Sequence, residues 1–237
     1  MSSQATSSKP DVRFASRGSS YFDIALALFC VVLVVSNIAA TKGIELGVGD
    51  WSVGSVQILP VVTDGGAFLF PLAYILGDVI SEVYGFKAAR RAVLTGFAMA
   101  LLAAATFWVV EQAPEASFYQ NQAAFEAVAG PVGTIVLASL VGYVCGQLTN
   151  SYVLVQMKKR TAEKRLVARL ATSTGAGELV DTLLFCAIAA SAIGIETGGQ
   201  FVNYFVVGVI YKCAVEFLVM PLTVVVIAAI KKREPTY

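Results

Sequence analysis

Apolar residues run along this chain in long blocks, at 21–40, 67–83, 92–110, 133–157, 171–194 and 201–230, separated by short polar stretches. A helix needs about 20 mostly apolar residues to cross a bilayer, so the pattern predicts an all-α membrane protein with six transmembrane helices. The second block is the weakest, being short and carrying Pro71, Gly77, Asp78 and Glu82. Positive charge argues for keeping it, because cytoplasmic loops are enriched in Lys and Arg. With six helices, every basic residue except Lys42 and Lys212 falls on one side. Without the second helix, Lys87, Arg90 and Arg91 would move to the side of Glu111, Glu115, Glu126 and Glu196. Both termini are then cytoplasmic.

Residues 1–20 are rich in Ser and lack an apolar period, which predicts a flexible cytoplasmic tail; residues 21–231 form a single six-helix transmembrane domain. The tail is too long and polar for a typical signal peptide, so the first block reads as a retained helix. The connection from Thr41 to Gly66 holds Trp51, Val53, Val56, Ile58 and Pro60 among glycines. It fits an interfacial hairpin, a re-entrant lid over the outer mouth, or a plain surface loop.

Composition sharpens this picture. Of 237 residues, 57% are hydrophobic and 14% charged, well outside the usual balance of soluble domains. The net charge of +1 excludes a nucleic-acid partner, which would need a basic surface. Cys30, Cys145, Cys186 and Cys213 lie in apolar runs without disulfide or metal spacing and read as packing residues. Histidine is absent, which removes the commonest general base and metal ligand. No phosphate-binding G-x-x-x-x-G-K-[ST] loop is present, so transport energy would come from a gradient, trapping of the solute or a separate subunit. Neither catalytic residues, nor a metal, nor a cofactor is expected.

The informative residues are the ionisable ones inside the blocks, because charge at bilayer depth usually faces the bundle interior, a partner or a solute path. Tyr74, Asp78 and Glu82 follow at i, i+4, i+8, with Phe70 and Pro71 above them. Glu178 and Asp181 share a face with Phe185, preceded by Thr172, Ser173, Thr174, Gly175 and Gly177, small residues expected to let a solute approach the backbone. The fourth helix adds Tyr143, Gln147 and Asn150, the sixth Tyr211, Lys212 and Glu216, and the first Asn37. A rise of about 1.5 Å per residue puts Asp78 and Glu178 at similar depth, with Asp181, Glu216 and Gln147 nearer mid-bilayer. Four helices are thus expected to share a polar chamber in which carboxylates outnumber Lys212. Glu82 is expected to escape it by pairing with Lys87 or Arg90 at the surface. The excess negative charge must be relieved by Lys212, by protons, or by a solute that donates hydrogen bonds or is cationic. Simpler readings compete: a structural Lys212 ion pair, and Gln147 and Asn150 as interhelical glue. Gly142 and Gly146 fit either a homodimer face or close packing inside the bundle.

The run Phe70-Pro71-Leu72-Ala73-Tyr74-Ile75-Leu76-Gly77-Asp78-Val79-Ile80-Ser81-Glu82-Val83-Tyr84-Gly85, closed by Ala89-Arg90-Arg91, resembles the signature of the queuosine precursor transporter family, also called the vitamin uptake transporter family. Ser36-Asn37, the segment Thr172-Ser173-Thr174 through Gly177-Glu178 to Asp181-Thr182, and Tyr211-Lys212 before Pro221 agree with it. The resemblance implies a multi-pass importer of the cytoplasmic (inner) membrane for 7-cyano-7-deazaguanine and 7-aminomethyl-7-deazaguanine. It also implies an architecture similar to the substrate-binding subunits of energy-coupling-factor transporters. A deazaguanine presents an N–H beside an amino group, which one carboxylate accepts at two points, and a carbonyl that needs a donor. Glu178 or Asp78 would read that edge, Lys212 or Gln147 would meet the carbonyl, and Asp181 or Glu216 would balance Lys212 or meet the 7-substituent. Phe68, Phe70, Tyr74, Phe185 or Tyr211 would stack on the ring. The competing functions are a same-fold transporter of another purine or a vitamin, a capture subunit that requires an ATPase, and an intramembrane aspartyl protease using Asp78 and Asp181. Against the protease, Gly77-Asp78 lacks the first glycine of the G-x-G-D pattern, and no Pro-Ala-Leu follows.

Overall fold

The computed structural model describes residues 13–16, 18, 20–53, 56–189, 198–235 and 237. Each apolar block becomes one helix: α1 Ser20–Ala39, α2 Phe70–Tyr84, α3 Phe86–Glu111, α4 Gln122–Thr161, α5 Leu166–Ala189 and α6 Gly198–Arg233. Between α1 and α2 the chain forms an antiparallel hairpin, β1 Gly43–Val53 and β2 Val56–Asp64, followed by a 3₁₀ turn at Gly65–Phe68. The hairpin is therefore the form taken by the long first connection. Three stretches, Tyr21–Ala39, Phe86–Glu111 and Gly208–Arg233, are long and apolar enough to cross a membrane. With a composition this apolar, the chain is an all-α membrane protein apart from its one hairpin.

Helix α2 lies at the centre. It has 15 residues, about 22 Å at helical rise, and every residue from Ala73 to Tyr84 is buried. Helices α1, α3, α4 and α6 all pack against it. Pro71 sits in its first turn, where a missing N–H breaks no helical bond. Its end is set by Gly85, whose φ of 82° and ψ of 174° is open essentially to glycine alone. This one residue reverses the chain into α3. A Cβ there would also lie 3.1 Å from the Phe14 ring.

Helices α4 and α5 meet backbone to backbone. A Cβ on Gly146 would stand 2.6 Å from Asp181 Cβ and 2.9 Å from the Gly177 carbonyl oxygen. One on Gly142 would stand 2.8 Å from the Asp181 carbonyl oxygen, and one on Gly177 2.8 Å from Asn150 Cβ. The Gly142/Gly146 face is thus filled within the chain by α5, which is the close packing inside the bundle that stood as the alternative to a homodimer face. Gly177, expected to expose backbone to a solute, is instead covered by α4.

One end of the bundle is strongly basic, and there the expectation for Glu82 is overturned. Its carboxylate is fully buried and accepts from Arg169 Nη2 at 2.7 Å and Lys231 Nζ at 2.7 Å, with Lys158 Nζ at 3.8 Å. Lys87 and Arg90 are not its partners, because Glu82 points into the bundle, where α4, α5 and α6 converge. Lys158 donates to the carbonyl oxygens of Glu82 at 2.6 Å and Arg13 at 2.7 Å, and to the Tyr237 hydroxyl at 3.1 Å. The expected tail therefore includes an ordered piece: Ala15 donates its N–H to the Val83 carbonyl at 2.8 Å, and Arg13 its N–H to Glu163 Oε1 at 2.7 Å.

The turn joining α4 to α5 is strained. Ala162, Glu163 and Arg165 take φ of 49°, 65° and 57°, values costly for side chains with a Cβ. Its restraints come from outside it: Arg169 Nη1 donates to the Lys164 carbonyl at 2.6 Å, and the Tyr237 hydroxyl donates to Glu163 Oε2 at 2.8 Å. Burial pushes the Glu163 carboxyl up, but the Arg13 N–H, the Tyr237 hydroxyl and Lys158 outweigh it and hold it below the usual range.

Two glycine substitutions, one on α4 and one on α5, are expected to move stability in opposite directions. Gly146→Ala forces a methyl into backbone and should cost about 1–3 kcal/mol. Gly175→Ala, where a Cβ meets nothing within 4 Å, should gain roughly 0.5–1 kcal/mol from helix propensity. Thermal unfolding in detergent checks both, and equal effects would contradict the α4–α5 contact described above.

Candidate functional site

The buried polar residues of α2, α4, α5 and α6 divide into two adjoining groups. In the first, Lys212 of α6 pairs with Asp181 of α5 and lies 3.5 Å from Glu178 Oε2. Asp181 and Glu178 are buried, while the Lys212 side chain is 28% exposed. Helical spacing brings Glu178 and Asp181 onto one face of α5, and the glycine contact presses that face against α4.

In the second, Asp78 of α2 accepts from Asn150 Nδ2 of α4 at 2.8 Å. One turn on, Ser81 Oγ donates to the Gly77 carbonyl and lies 2.8 Å from Ser151 Oγ. Gln147 lies across Gly77, where a Cβ would fall 1.9 Å from its Nε2. Gly77 is therefore the space that the Gln147 amide occupies. Above this pair, Tyr74 and Tyr143 meet edge to face with ring centroids 5.9 Å apart. Glu216 of α6 reaches both groups, interacting with Glu178 and Asp78 and hydrogen-bonding Thr174.

Beside the second group lies a small cavity lined by Tyr74, Ile75, Asp78, Thr174, Glu216, Val219, Met220 and Thr223. Its free volume of about 10 Å³ is close to the least that admits one water molecule. A space of this size is far too small for a bicyclic solute, which would need the surrounding helices to part. Several atoms of the two groups and their surroundings are buried without a hydrogen-bond partner among the described residues: both amide atoms of Gln147, both oxygens of Glu178, Glu216 Oε1 and Thr182 Oγ1, of which only Glu216 lines the cavity itself. Buried polar atoms are rarely left so. Here most are acceptors, and what they lack is a donor.

The sequence-predicted residues are brought together unevenly. Asp78, Gln147, Asn150, Glu178, Asp181, Lys212, Glu216 and Tyr74 gather as described. Asn37 does not join them, because its side-chain amide donates to the Leu33 carbonyl of its own helix at 2.9 Å. The Phe70 side chain lies outside the described residues. Phe68 and Tyr211, named as ring-stacking residues, are 69% and 42% exposed and face outward. Of the hydroxyl run before Glu178, only Thr174 reaches the cavity, while Thr172 is exposed and bonds the Ala168 carbonyl. Val219, Met220 and Thr223 were not anticipated, yet they follow Glu216 at i+3, i+4 and i+7, the spacing that puts residues on one helix face.

Comparison with known proteins bears on the same segment. A family model described as "Putative vitamin uptake transporter" matches residues 64–226, well over half of the chain. A Bacillus subtilis (strain 168) protein named "Probable queuosine precursor transporter" is 27% identical over 170 residues, covering 71% of this chain and 73% of the relative. No solved structure matches significantly. The matched segment contains every chamber residue, whereas Phe14, Lys231, Glu234 and Tyr237 fall outside it.

The Lys212 group makes a testable energetic statement. Removing one partner of a fully buried ion pair costs about 3–5 kcal/mol, because the other charge stays buried alone. Lys212 is part exposed, so Lys212→Met should cost less, about 2–3 kcal/mol. Lys212→Met/Asp181→Leu should recover most of that loss in thermal unfolding. Losses that simply add would mean the pair is not coupled.

Proposed function

The chain belongs to the vitamin uptake transporter family, a family of transporters rather than enzymes, and on that premise we propose that it imports 7-deazaguanine precursors of queuosine. In this reading all six helices span the cytoplasmic membrane within residues 21–231, and the basic end of the bundle with both termini faces the cytoplasm. The excess of Lys and Arg at that end supports the orientation. The β1–β2 hairpin then lies on the outer side.

The observation that carries the reading is the set of buried acceptors without donors in the chamber, Glu178 and Gln147 foremost. A deazaguanine brings the missing donors as an adjacent ring N–H and amino group, and charge-assisted bonds of this kind are strong and directional. Asp78 already accepts from Asn150, and Lys212 pairs more closely with Asp181 than with Glu178, which it approaches to 3.5 Å without a hydrogen bond. Glu178 is therefore the carboxylate assigned to the guanine-like edge, with the Gln147 amide turned to the carbonyl and Tyr74 against the ring. In this reading Glu216, beside Asp78, meets the 7-substituent, and a carboxylate suits the cationic aminomethyl group best. Four carboxylates, Asp78, Glu178, Asp181 and Glu216, share one lysine, so a solute rich in donors also relieves crowded negative charge. The printed name of the Bacillus subtilis relative agrees with this cargo.

Binding of 7-cyano-7-deazaguanine and 7-aminomethyl-7-deazaguanine to purified protein tests the assignment. Glu178→Gln removes a charge-assisted bond of about 1.5–3 kcal/mol, so affinity should fall roughly 10- to 100-fold. Asp78→Asn should have a smaller effect, acting through its contact with Asn150. Unchanged affinity in both variants overturns the assignment. Uptake into liposomes that hold only this protein separates an autonomous carrier from a capture subunit that needs an ATPase.

A further inference from the structure

The far half of α6 is joined to the rest of the bundle in a way that packing of a static helix does not require. Pro221 lies inside α6 between two cavity-lining residues, Met220 and Thr223. It cannot donate the backbone bond that would join it to the preceding turn, which is where helices bend. Beyond it, one face of the arm carries Thr223, Ile227, Lys231 and Glu234, at i, i+4, i+8 and i+11, and Thr223, Ile227 and Glu234 are at most 5% exposed. Thr223 borders the cavity, and Ile227 is the buried apolar residue on that face before the ion cluster begins.

Three polar contacts then tie the arm down. Lys231 donates to the buried Glu82 carboxylate at 2.7 Å. Tyr84 at the end of α2 donates its hydroxyl to Glu234 Oε2 at 2.8 Å. The Tyr237 hydroxyl accepts from Lys158 at 3.1 Å and donates to Glu163 at 2.8 Å, while its ring lies under the ammonium groups of Lys158 and Lys231, 5.0 and 4.9 Å from the ring centroid. Every tie runs from α6 or the segment after it to α2, to α4 or to the strained turn after α4. None is an α6–α5 contact. Arg169 of α5 also holds Glu82, but it belongs to the stationary side, because α5 is locked to α4 through Gly142, Gly146 and Gly177. The parts are therefore a helix-interior proline beside the cavity, an apolar stretch in which Ile227 is fully buried and Val224, Val226 and Ile230 partly so, and ionic and hydroxyl ties at the tip.

We propose that residues 222–237 form the cytoplasmic gate of the chamber, an arm that bends at Pro221 and is latched shut by the Lys231–Glu82, Tyr84–Glu234 and Tyr237–Lys158/Glu163 contacts. The proposal rests on the transporter reading given above. It assigns Glu82 to the latch rather than to the cargo. Opening moves Thr223 and Ile227 away from α2 and connects the cavity to the cytoplasm, while the glycine-locked α4–α5 pair stays in place. The strain at Ala162, Glu163 and Arg165 sits directly under the Tyr237 tie, so releasing the tie also frees the turn that it restrains.

The test needs no cargo. In full-length protein with Cys30, Cys145, Cys186 and Cys213 replaced by Ala, Thr223→Cys is labelled in membrane vesicles with an impermeant maleimide applied to the basic side. Labelling should be slow in this parent and about tenfold faster after Tyr237→Phe or Lys231→Met, the shift produced by losing about 1.4 kcal/mol of closed-state contact. Pro221→Ala, which restores the backbone bond, should slow labelling below the parent rate. Labelling from the opposite side should not rise in any variant. Unchanged rates from the basic side overturn the gate, and so does equal acceleration from both sides, which would mean general loosening. If Lys231→Met, which strips a cation from a buried carboxylate, cannot be recovered from the membrane, Tyr237→Phe decides alone. Failure of precursor binding with gated labelling intact would overturn the cargo and leave the gate. Binding without gated labelling would do the reverse.

Discussion

The structure depends on the burial of polar groups along one short central helix. Helix α2 is surrounded by four others, yet it carries Asp78, Ser81 and Glu82 into that interior. In a low-dielectric environment each must find a partner from another helix or forfeit several kcal/mol. Asn150 answers Asp78, Ser151 answers Ser81, and Arg169, Lys231 and Lys158 answer Glu82. Because these partners come from α4, α5 and α6, satisfying α2 also sets where three other helices stand.

The glycines do complementary work. Close approach of α4 and α5 at Gly142, Gly146 and Gly177 places Asp181 and Glu178 against the α4 face that bears Gln147 and Asn150. Gly77 then leaves room for the Gln147 amide on α2. Without these missing side chains the polar groups would be held apart, and the chamber would be a set of unrelated buried charges. With them, acceptors collect beside a cavity with room for about one water molecule.

The two ends of the α2 polar series differ in kind. Around Asp78 and Glu178 carboxylates outnumber cations, and several acceptors lack donors among the described residues. Around Glu82 three cations share one carboxylate oxygen, and carbonyls and hydroxyls take up further ammonium donors, leaving Glu82 Oε2 and Arg169 Nε without a partner among the described residues. On the proposed reading the first is the place of recognition and the second that of closure, and alternating access to a site inside the membrane requires both on one path.

Much of this was legible in the residues before any coordinates. Hydrophobic blocks of the length of a bilayer span located all six helices, since apolar length is a local property of the chain. Spacing at i, i+3 and i+4 put Asp78 with Tyr74 and Glu178 with Asp181, since helix geometry is local as well. Local rules end at the faces of helices. Whether Gly142 and Gly146 meet a second copy or α5, whether Glu82 turns to Lys87 or inward to Arg169 and Lys231, and whether Asn37 reaches the chamber or bonds its own turn are questions of partner choice. Periodicity names a face but not what it meets. Those choices were decided by tertiary structure, because the cost of a buried unpaired charge depends on which other helix stands opposite it.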